Sequence, residues 1–339
     1  MKLALFAYSR QGCRTARRVM ECFPEAEISA YTVERFAGEG FLPLEKPAQP
    51  LYAEQFARAD ALIFVGACGI ALRSVAPFVR DKRRDPAVLC VDELASFVIP
   101  LLSGHIGGAN ALARTLAAFL GATAVITTAT DINRRFSVDT WASEQGLVID
   151  NMALAKKVSA AVLEGDVPLC SDFPVVTDLP PGITAGSGGN LGICITCEKK
   201  SPFAQTLRLI PPVLHLGIGC RKGASAADIA AAVETALEAG NLDRRAVRQV
   251  ASIDLKAREQ GLLDYCRENR WPVSFYPAQA LRALEGDFTP SEFVQRVTGV
   301  DNVCERAARM GAARLIVKKT ARNGVTVAVA EETMEVRFG

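Results

Sequence analysis

The two runs "ALIFVGA" (residues 61–67) and "AVLCVDEL" (residues 87–94) constrain this chain more than any other feature. Each is short, continuously apolar and rich in β-branched residues, with no alternation of polar and apolar positions. A strand of that kind has no solvent face. It belongs inside a sheet covered on both sides, and such sheets are mostly parallel. The segments between the runs carry helical periodicity, which supplies both the cover and the crossovers that parallel strands require.

The same theme runs from "KLALFAY" through a helix from about Thr15 to Cys22, "ALIFVGA", a helix from Ile70 to Val79, "AVLCVDEL", "FVIPLL", a helix from Ala109 to Leu120, and "TAVITTAT". This predicts a three-layer α/β/α domain over residues 1–140. Residues 141–210 change character. One helical stretch, "ALAKKVSAAVLEG", is followed by short pieces broken by "DLPPG", "GSGGN" and "KKSPF", which predicts a small middle α+β module. "IPPVLHLGIGCRKG" then restarts strand, glycine loop and helix. Residues 211–339 read as a second three-layer α/β/α domain with a mostly parallel sheet, closed by a hairpin about Asn323-Gly324.

Composition narrows the function classes. With 39 basic against 37 acidic residues, a net charge of +2 and only 7% aromatic residues, no nucleic-acid partner is expected. No apolar stretch approaches the roughly 20 residues of a membrane span, and the chain opens on a strand-like run instead of an apolar leader. The ten cysteines are scattered through strand and helix patterns, as in a reduced, cytoplasmic protein. "CITC", at Cys194 and Cys197, has half the spacing of a zinc site, but no second pair and no histidine lies nearby. Two structural thiols and no metal site are the expectation.

Chemistry gathers at the glycine loops. In "LGIGCRKG" the glycines at 217, 219 and 223 miss the dinucleotide fingerprint by one residue, and no phosphate-loop motif occurs in the chain. What remains is a helix N-terminus preceded by Gly217, Gly219, Cys220, Arg221 and Lys222. It suits either a bound carboxylate or a solvated basic turn. Lys82 lies in "RDKRRDP", again a solvated turn or a carboxylate clamp. Asp92 and Glu93 end a strand at the carboxyl edge of a parallel sheet, where such folds bind ligands. His105, one of two histidines, sits in "SGHIGG" between strand and helix, and the reading places that loop next to Asp92 and Glu93. It is either a general base, with the N–H groups of Gly107 and Gly108 as oxyanion donors, or part of a helix cap.

The block "VGACGIALRSVAPFVRDKRRDPAVLCVDELASFVIPLLSGHIGGANALARTLAAFLGATAVITTATD" is similar to the amino-terminal domain of the CbiG family of cobalamin biosynthesis. "LHLGIGCRKGASAADIAAAV" and "VASIDLKAREQGLLDYCRENRWPVSFY" resemble its carboxy-terminal domain. The likeness covers residues 1–140 and 213–331 in the family's order. The resemblance implies opening of the ring A acetate δ-lactone of cobalt-precorrin-5A, with loss of a two-carbon fragment as acetaldehyde, to give cobalt-precorrin-5B. It implies a cobalt-precorrin as small-molecule partner and no cofactor beyond the cobalt that the substrate carries. It is compatible with contacts to other enzymes of the pathway and with a homodimer. The family supplies no catalytic assignment to carry over; from the chemistry of the loops, His105, Asp92 and Glu93 are expected to be catalytic. Gly107, Gly108 and Asn110, with Arg73, Lys82, Gly217, Gly219, Cys220, Arg221 and Lys222, bind the substrate and its acetate and propionate arms. The alternative is a non-catalytic corrinoid-binding or hand-over protein of the same pathway.

Overall fold

The computed structural model describes residues 1–81, 84–104, 107–133 and 135–338, so Lys82 and His105 lie outside the described residues. The chain divides into two compact units, Met1–Thr140 and Trp141–Gly339.

In the first unit the elements are β1 (Lys2–Ala7), α1 (Arg10–Glu21), β2 (Glu27–Thr32), β3 (Leu42–Pro43), α2 (Gln49–Arg58), β4 (Ala61–Val65), α3 (Cys68–Val75), β5 (Ala87–Val91), β6 (Phe97–Leu102), α4 (Ala109–Leu120), β7 (Thr123–Ala124) and the short α5 (Ala129–Ile132). The sheet order is β3-β2-β1-β4-β5-β6-β7. Every residue of β4 and β5 is buried, as their unbroken apolar runs require. On one face α1 and α4 bury Cys13, Ala16, Val19 and Leu116, and on the other α2 and α3 bury Tyr52, Phe56, Ala71 and Val75. Helix α1 begins earlier than its periodicity suggests, because the Ser9 hydroxyl caps it by accepting the Gly12 N–H at 2.9 Å.

One strand is reversed. The connection over residues 92–96 is too short for a crossover, and β6 runs antiparallel to β5, with Val91 opposite Val98 and Val88 opposite Leu102. The end of β6 therefore emerges at the amino edge of the parallel strands, where the Ser103 hydroxyl donates to the Asp85 carbonyl at 2.9 Å. This corrects the expected neighbourhood of "SGHIGG" and the Asp92–Glu93 turn. Their described residues lie at opposite edges of the sheet, separated by the five residues of β5, about 16 Å at 3.3 Å per residue.

The second unit opens with α6 (Val138–Glu144), which spans the boundary, then β8 (Val148–Ile149), α7 (Met152–Glu164), β9 (Val167–Ser171), β10 (Ile183–Ala185), β11 (Leu191–Ile195) and β12 (Gln205–Ile210). These strands form a sheet of their own in the order β10-β9-β11-β12-β8, parallel except at β8. The remaining elements are β13 (Leu214–Cys220), α8 (Ala226–Ala239), β14 (Val247–Ile253), α9 (Gln260–Asn269), β15 (Val273–Tyr276), α10 (Ala278–Ala283), α11 (Glu292–Thr298), α12 (Val303–Arg309), β16 (Arg314–Arg322) and β17 (Val325–Glu331). Their sheet runs β15-β14-β13-β17-β16, with β13, β14 and β15 parallel. The β16–β17 turn has positive φ at both Asn323 (50°) and Gly324 (76°), as a two-residue hairpin demands. Val336 bridges to Val175 and Phe338 stacks on Trp141 at 4.6 Å, fastening the tail to the middle segment. No helix among the described residues is long and apolar enough to cross a membrane.

Candidate active site

The strand order of the first unit turns between β1 and β4. From β1 the chain moves outward to β2 and β3, then returns to β4 on the other side. Helix α1 leaves β1 toward one face and α3 leaves β4 toward the other, so a crevice opens at the carboxyl ends of these strands, where doubly wound folds bind ligands. Glu93 reaches across it. Its Oε1 accepts from the Ser9 hydroxyl at 2.6 Å. Because β4 lies between β1 and β5, a side chain that joins the end of β5 to the end of β1 must pass over the end of β4.

At that point the backbone turns through Gly66 (φ 154°), whose N–H donates to the Val91 carbonyl at 2.8 Å. The Glu93 carbonyl accepts from the Thr15 hydroxyl at 2.5 Å and from Gln11 Nε2 at 3.4 Å. The residue is thus held at both backbone and side chain. No side chain caps the first turn of α3, which starts at the same edge. Burial, with the neighbouring Cys68, pushes the Cys90 thiol up to about 12, and its Sγ donates to the Gly66 carbonyl at 3.1 Å. Burial also pushes the Tyr8 phenol, bonded to the Tyr52 hydroxyl at 2.9 Å, above its ordinary range. Leu94, in the turn beside Glu93, is exposed, as are Ile70 and Leu72 on α3.

Asp92 does different work from its neighbour. Its carboxylate accepts the N–H groups of Phe97 (2.6 Å) and Leu94 (3.2 Å) and so builds the β5–β6 turn. Gly107, Gly108 and Asn110 belong to the other edge. Gly108 (φ 78°) is the N-cap of α4, and a Cβ on Gly107 would meet that of Ser103 at 2.3 Å. The buried Asn110 amide donates to the Thr128 hydroxyl at 2.8 Å and to Asp131 at 3.0 Å. Arg73 is exposed in the last turn of α3.

In the second unit, the carboxyl end of β13 separates its glycines from its cations. A Cβ on Gly217 would lie 1.8 Å from the Cys304 carbonyl oxygen and 2.5 Å from the Ala308 nitrogen, so this glycine lets α12 lie directly on β13. One on Gly219 would lie 2.7 Å from the Thr326 hydroxyl. The Cys220 thiol is half-buried and pushed up by that burial. Arg221 and Lys222 are exposed ahead of α8, which Ser225 caps, and the Arg221 guanidinium is 3.6 Å from Asp228. This edge keeps two adjacent cations at a helix start, an arrangement suited to carboxylate.

Burial also pushes up the thiols of Cys194 and Cys197, and no group of three metal-ligating side chains occurs among the described residues. A cavity of about 480 Å³ lies between the middle sheet and β16, lined in part by Asp172, Glu198, Arg314 and Glu331. Its carboxylates are engaged: Asp172 with Thr196 and Lys200, Glu198 with Lys200, and Glu331 with Arg314. His215, which periodicity assigns only to a strand, is buried in β13 and 2.6 Å from Glu332, a bond that ties the strand to the tail. The signal for Ser9 is a hydroxyl just ahead of an amphipathic run, and Gly12 in the first turn obscures it.

Three family profiles match in chain order: cobalamin synthesis G N-terminal over residues 50–131, cobalamin biosynthesis central region over 136–211, and cobalamin synthesis G C-terminus over 214–330. The chain is 35% identical over 346 residues to a cobalt-precorrin-5A hydrolase of Salmonella typhimurium, covering 96% of each. It is 28% identical over 354 residues to a cobalt-precorrin-5A hydrolase of Priestia megaterium, covering 96% of this chain and 94% of the relative. The crystal structure of a cobalamin biosynthesis protein G homolog from Sulfolobus solfataricus matches over 97% of both chains, with 24% identity and a TM-score of 0.42.

Proposed function

The chain belongs to the cobalamin synthesis G family, and from that premise we propose that it hydrolyses cobalt-precorrin-5A. The observation that carries the reading is the 35% identity with a hydrolase of that name over 96% of both chains. In the proposed reaction water adds to the ring A δ-lactone carbonyl and the ring C–O bond breaks, giving a carboxylate and a hydroxyethyl group. The hydroxyl then loses its proton, the carbon–carbon bond to the macrocycle breaks, acetaldehyde leaves, and the macrocycle takes up a proton. Neither step needs an oxidant or reductant, and the cobalt travels with the substrate.

The first step requires a base and donors for the developing oxyanion. The crevice between β1 and β4 offers a carboxylate and the start of an uncapped helix. Arg221 and Lys222 offer charge-assisted bonds to acetate and propionate arms. The same reading makes the cytoplasm the site of action, with the product passed to later enzymes of the pathway.

Incubation with cobalt-precorrin-5A tests the proposal, with acetaldehyde followed by alcohol dehydrogenase and NADH and the corrinoid by mass. One acetaldehyde per corrinoid is expected. Tight binding with the corrinoid returned unchanged would instead identify a hand-over protein.

A further inference from the structure

We infer that Glu93 is the general base of the lactone hydrolysis and that Ser9 is the residue that positions it. The inference rests on the hydrolase reading above. Its own ground is the placement of one carboxylate. Glu93 leaves the end of β5, passes over the end of β4 and bonds to Ser9 after β1, so its carboxylate spans the point where the sheet changes direction. Solvation alone does not account for that placement. A side chain that only kept the turn soluble would not have its carbonyl held by Thr15 and Gln11 and its carboxylate held by Ser9.

The Ser9 hydroxyl has one proton and two bonds to satisfy. It accepts the Gly12 N–H at 2.9 Å, which turns its own proton toward Glu93 Oε1. That bond takes one carboxylate oxygen and leaves Oε2 to accept from water. Asp92, one residue earlier, spends its oxygens on the N–H groups of Leu94 and Phe97 and has the weaker claim to the role. In the step assigned to it, Glu93 takes a proton from water as the water oxygen bonds to the lactone carbonyl carbon. It returns that proton to the ring oxygen as the C–O bond breaks. Leu94, next to Glu93 in the same turn, is exposed and offers apolar surface to a flat macrocycle.

The test uses the full chain and cobalt-precorrin-5A, with acetaldehyde release as the rate and absorbance titration as the binding measurement. Glu93→Ala should lower kcat by about 10²- to 10⁴-fold, with the corrinoid Kd changed no more than a few-fold. Added formate should restore part of its turnover by occupying the vacated place. Glu93→Gln, which keeps the shape and can still accept from Ser9, should be as slow and should not respond to formate. Ser9→Ala should lower kcat about tenfold with KM nearly constant, and Ser9→Thr, which keeps the hydroxyl, should recover most of the rate.

Full-rate turnover by Glu93→Ala would overturn the inference, and loss by His105→Ala in its place would assign the base to that histidine. A covalent acyl-enzyme on Ser9, seen by mass, would overturn it in favour of a serine nucleophile. Failure of the unaltered protein to release acetaldehyde refutes the hydrolase reading itself and is thereby distinguishable.

Discussion

Replacing Gly217 by Ala tests whether the glycines of "LGIGCRKG" serve the ligand or the fold. The added methyl carbon would sit 1.8 Å from the Cys304 carbonyl oxygen, about 1.6 Å short of ordinary contact, and 2.5 Å from the Ala308 nitrogen. Both obstacles are backbone atoms of α12, so no rotamer change relieves them and the helix itself must retreat. Retreat opens the contact that buries Cys304, Ala307 and Ala308 against the sheet.

Overpacking of cores costs about 1–3 kcal/mol, and obstruction by backbone puts this site at the upper end, about 3 kcal/mol. For a unit of this size, each kcal/mol lowers Tm by about 2–4 °C, so a fall of about 6–12 °C is expected. Gly219→Ala meets only the movable Thr326 hydroxyl and should cost about 1 kcal/mol or less. Thermal unfolding followed by circular dichroism reads the difference, and corrinoid titration of the folded variants reads binding. A Gly217→Ala protein with unchanged Tm and lost corrinoid binding would refute the packing argument.

Replacing Arg221 and Lys222 together by Ala should weaken corrinoid binding by about 30- to 1,000-fold while Tm stays nearly constant, as a spectroscopic titration would show. Burial alone would raise the Asp243 carboxyl, but the bond from Arg245 and the charge of Arg208 hold it at about 2, below the ordinary 3.8. Its contribution to stability is therefore complete above about pH 4 and is lost as pH falls through about 2. Thermal melts between those values should be steeper in pH for the unaltered protein than for Asp243→Asn. Cys194 and Cys197 are buried and protonated at neutral pH. Iodoacetamide should modify them only after denaturation, their joint replacement by Ala should leave turnover within a few-fold, and the purified protein should hold no stoichiometric zinc.

Much of the layering was legible because burial on both faces writes itself into single runs. "ALIFV" and "AVLCV" became the two central strands of the first sheet, α4 occupies Ala109–Leu120 as its periodicity indicates, and Asn323-Gly324 makes its hairpin. Strand direction was not legible from pattern, since an apolar run reads the same in a parallel or an antiparallel neighbour. The signal for β6 lay in the length of the preceding connection. Five residues can close a hairpin and cannot accommodate a crossover helix. Missing that reversal set the "SGHIGG" loop beside the Asp92–Glu93 turn, whereas its described residues Ser103 and Gly104 follow the end of β6 at the opposite edge.

The packing role of the glycines at 217 and 219 was illegible for another reason. Their constraint comes from α12 and Thr326, more than 80 residues further along, and nothing local announces such a contact. Ser9 is the converse case, because its partner Glu93 is remote in sequence and only the sheet order brings the two together.

The reversal of β6 also determines how Glu93 is carried. In most doubly wound sheets a residue just past a strand sits in a loop on its way to a helix, and such loops often become ordered only around a ligand. Here the residue lies in a tight turn closed by the Ala95 N–H to the Asp92 carbonyl at 2.9 Å and by Phe97 to the Asp92 carboxylate, with Ala95 at φ 56°. A turn of this kind has already met its ordering cost, about 1–2 kcal/mol of backbone entropy per residue, during folding. Substrate binding need not meet it again, so the carboxylate presents one fixed geometry to every corrinoid that enters. On the proposal that Glu93 is the base, discrimination among corrinoids falls to the side chains around it, and substitutions there should alter which corrinoid is accepted before they alter how fast it is turned over.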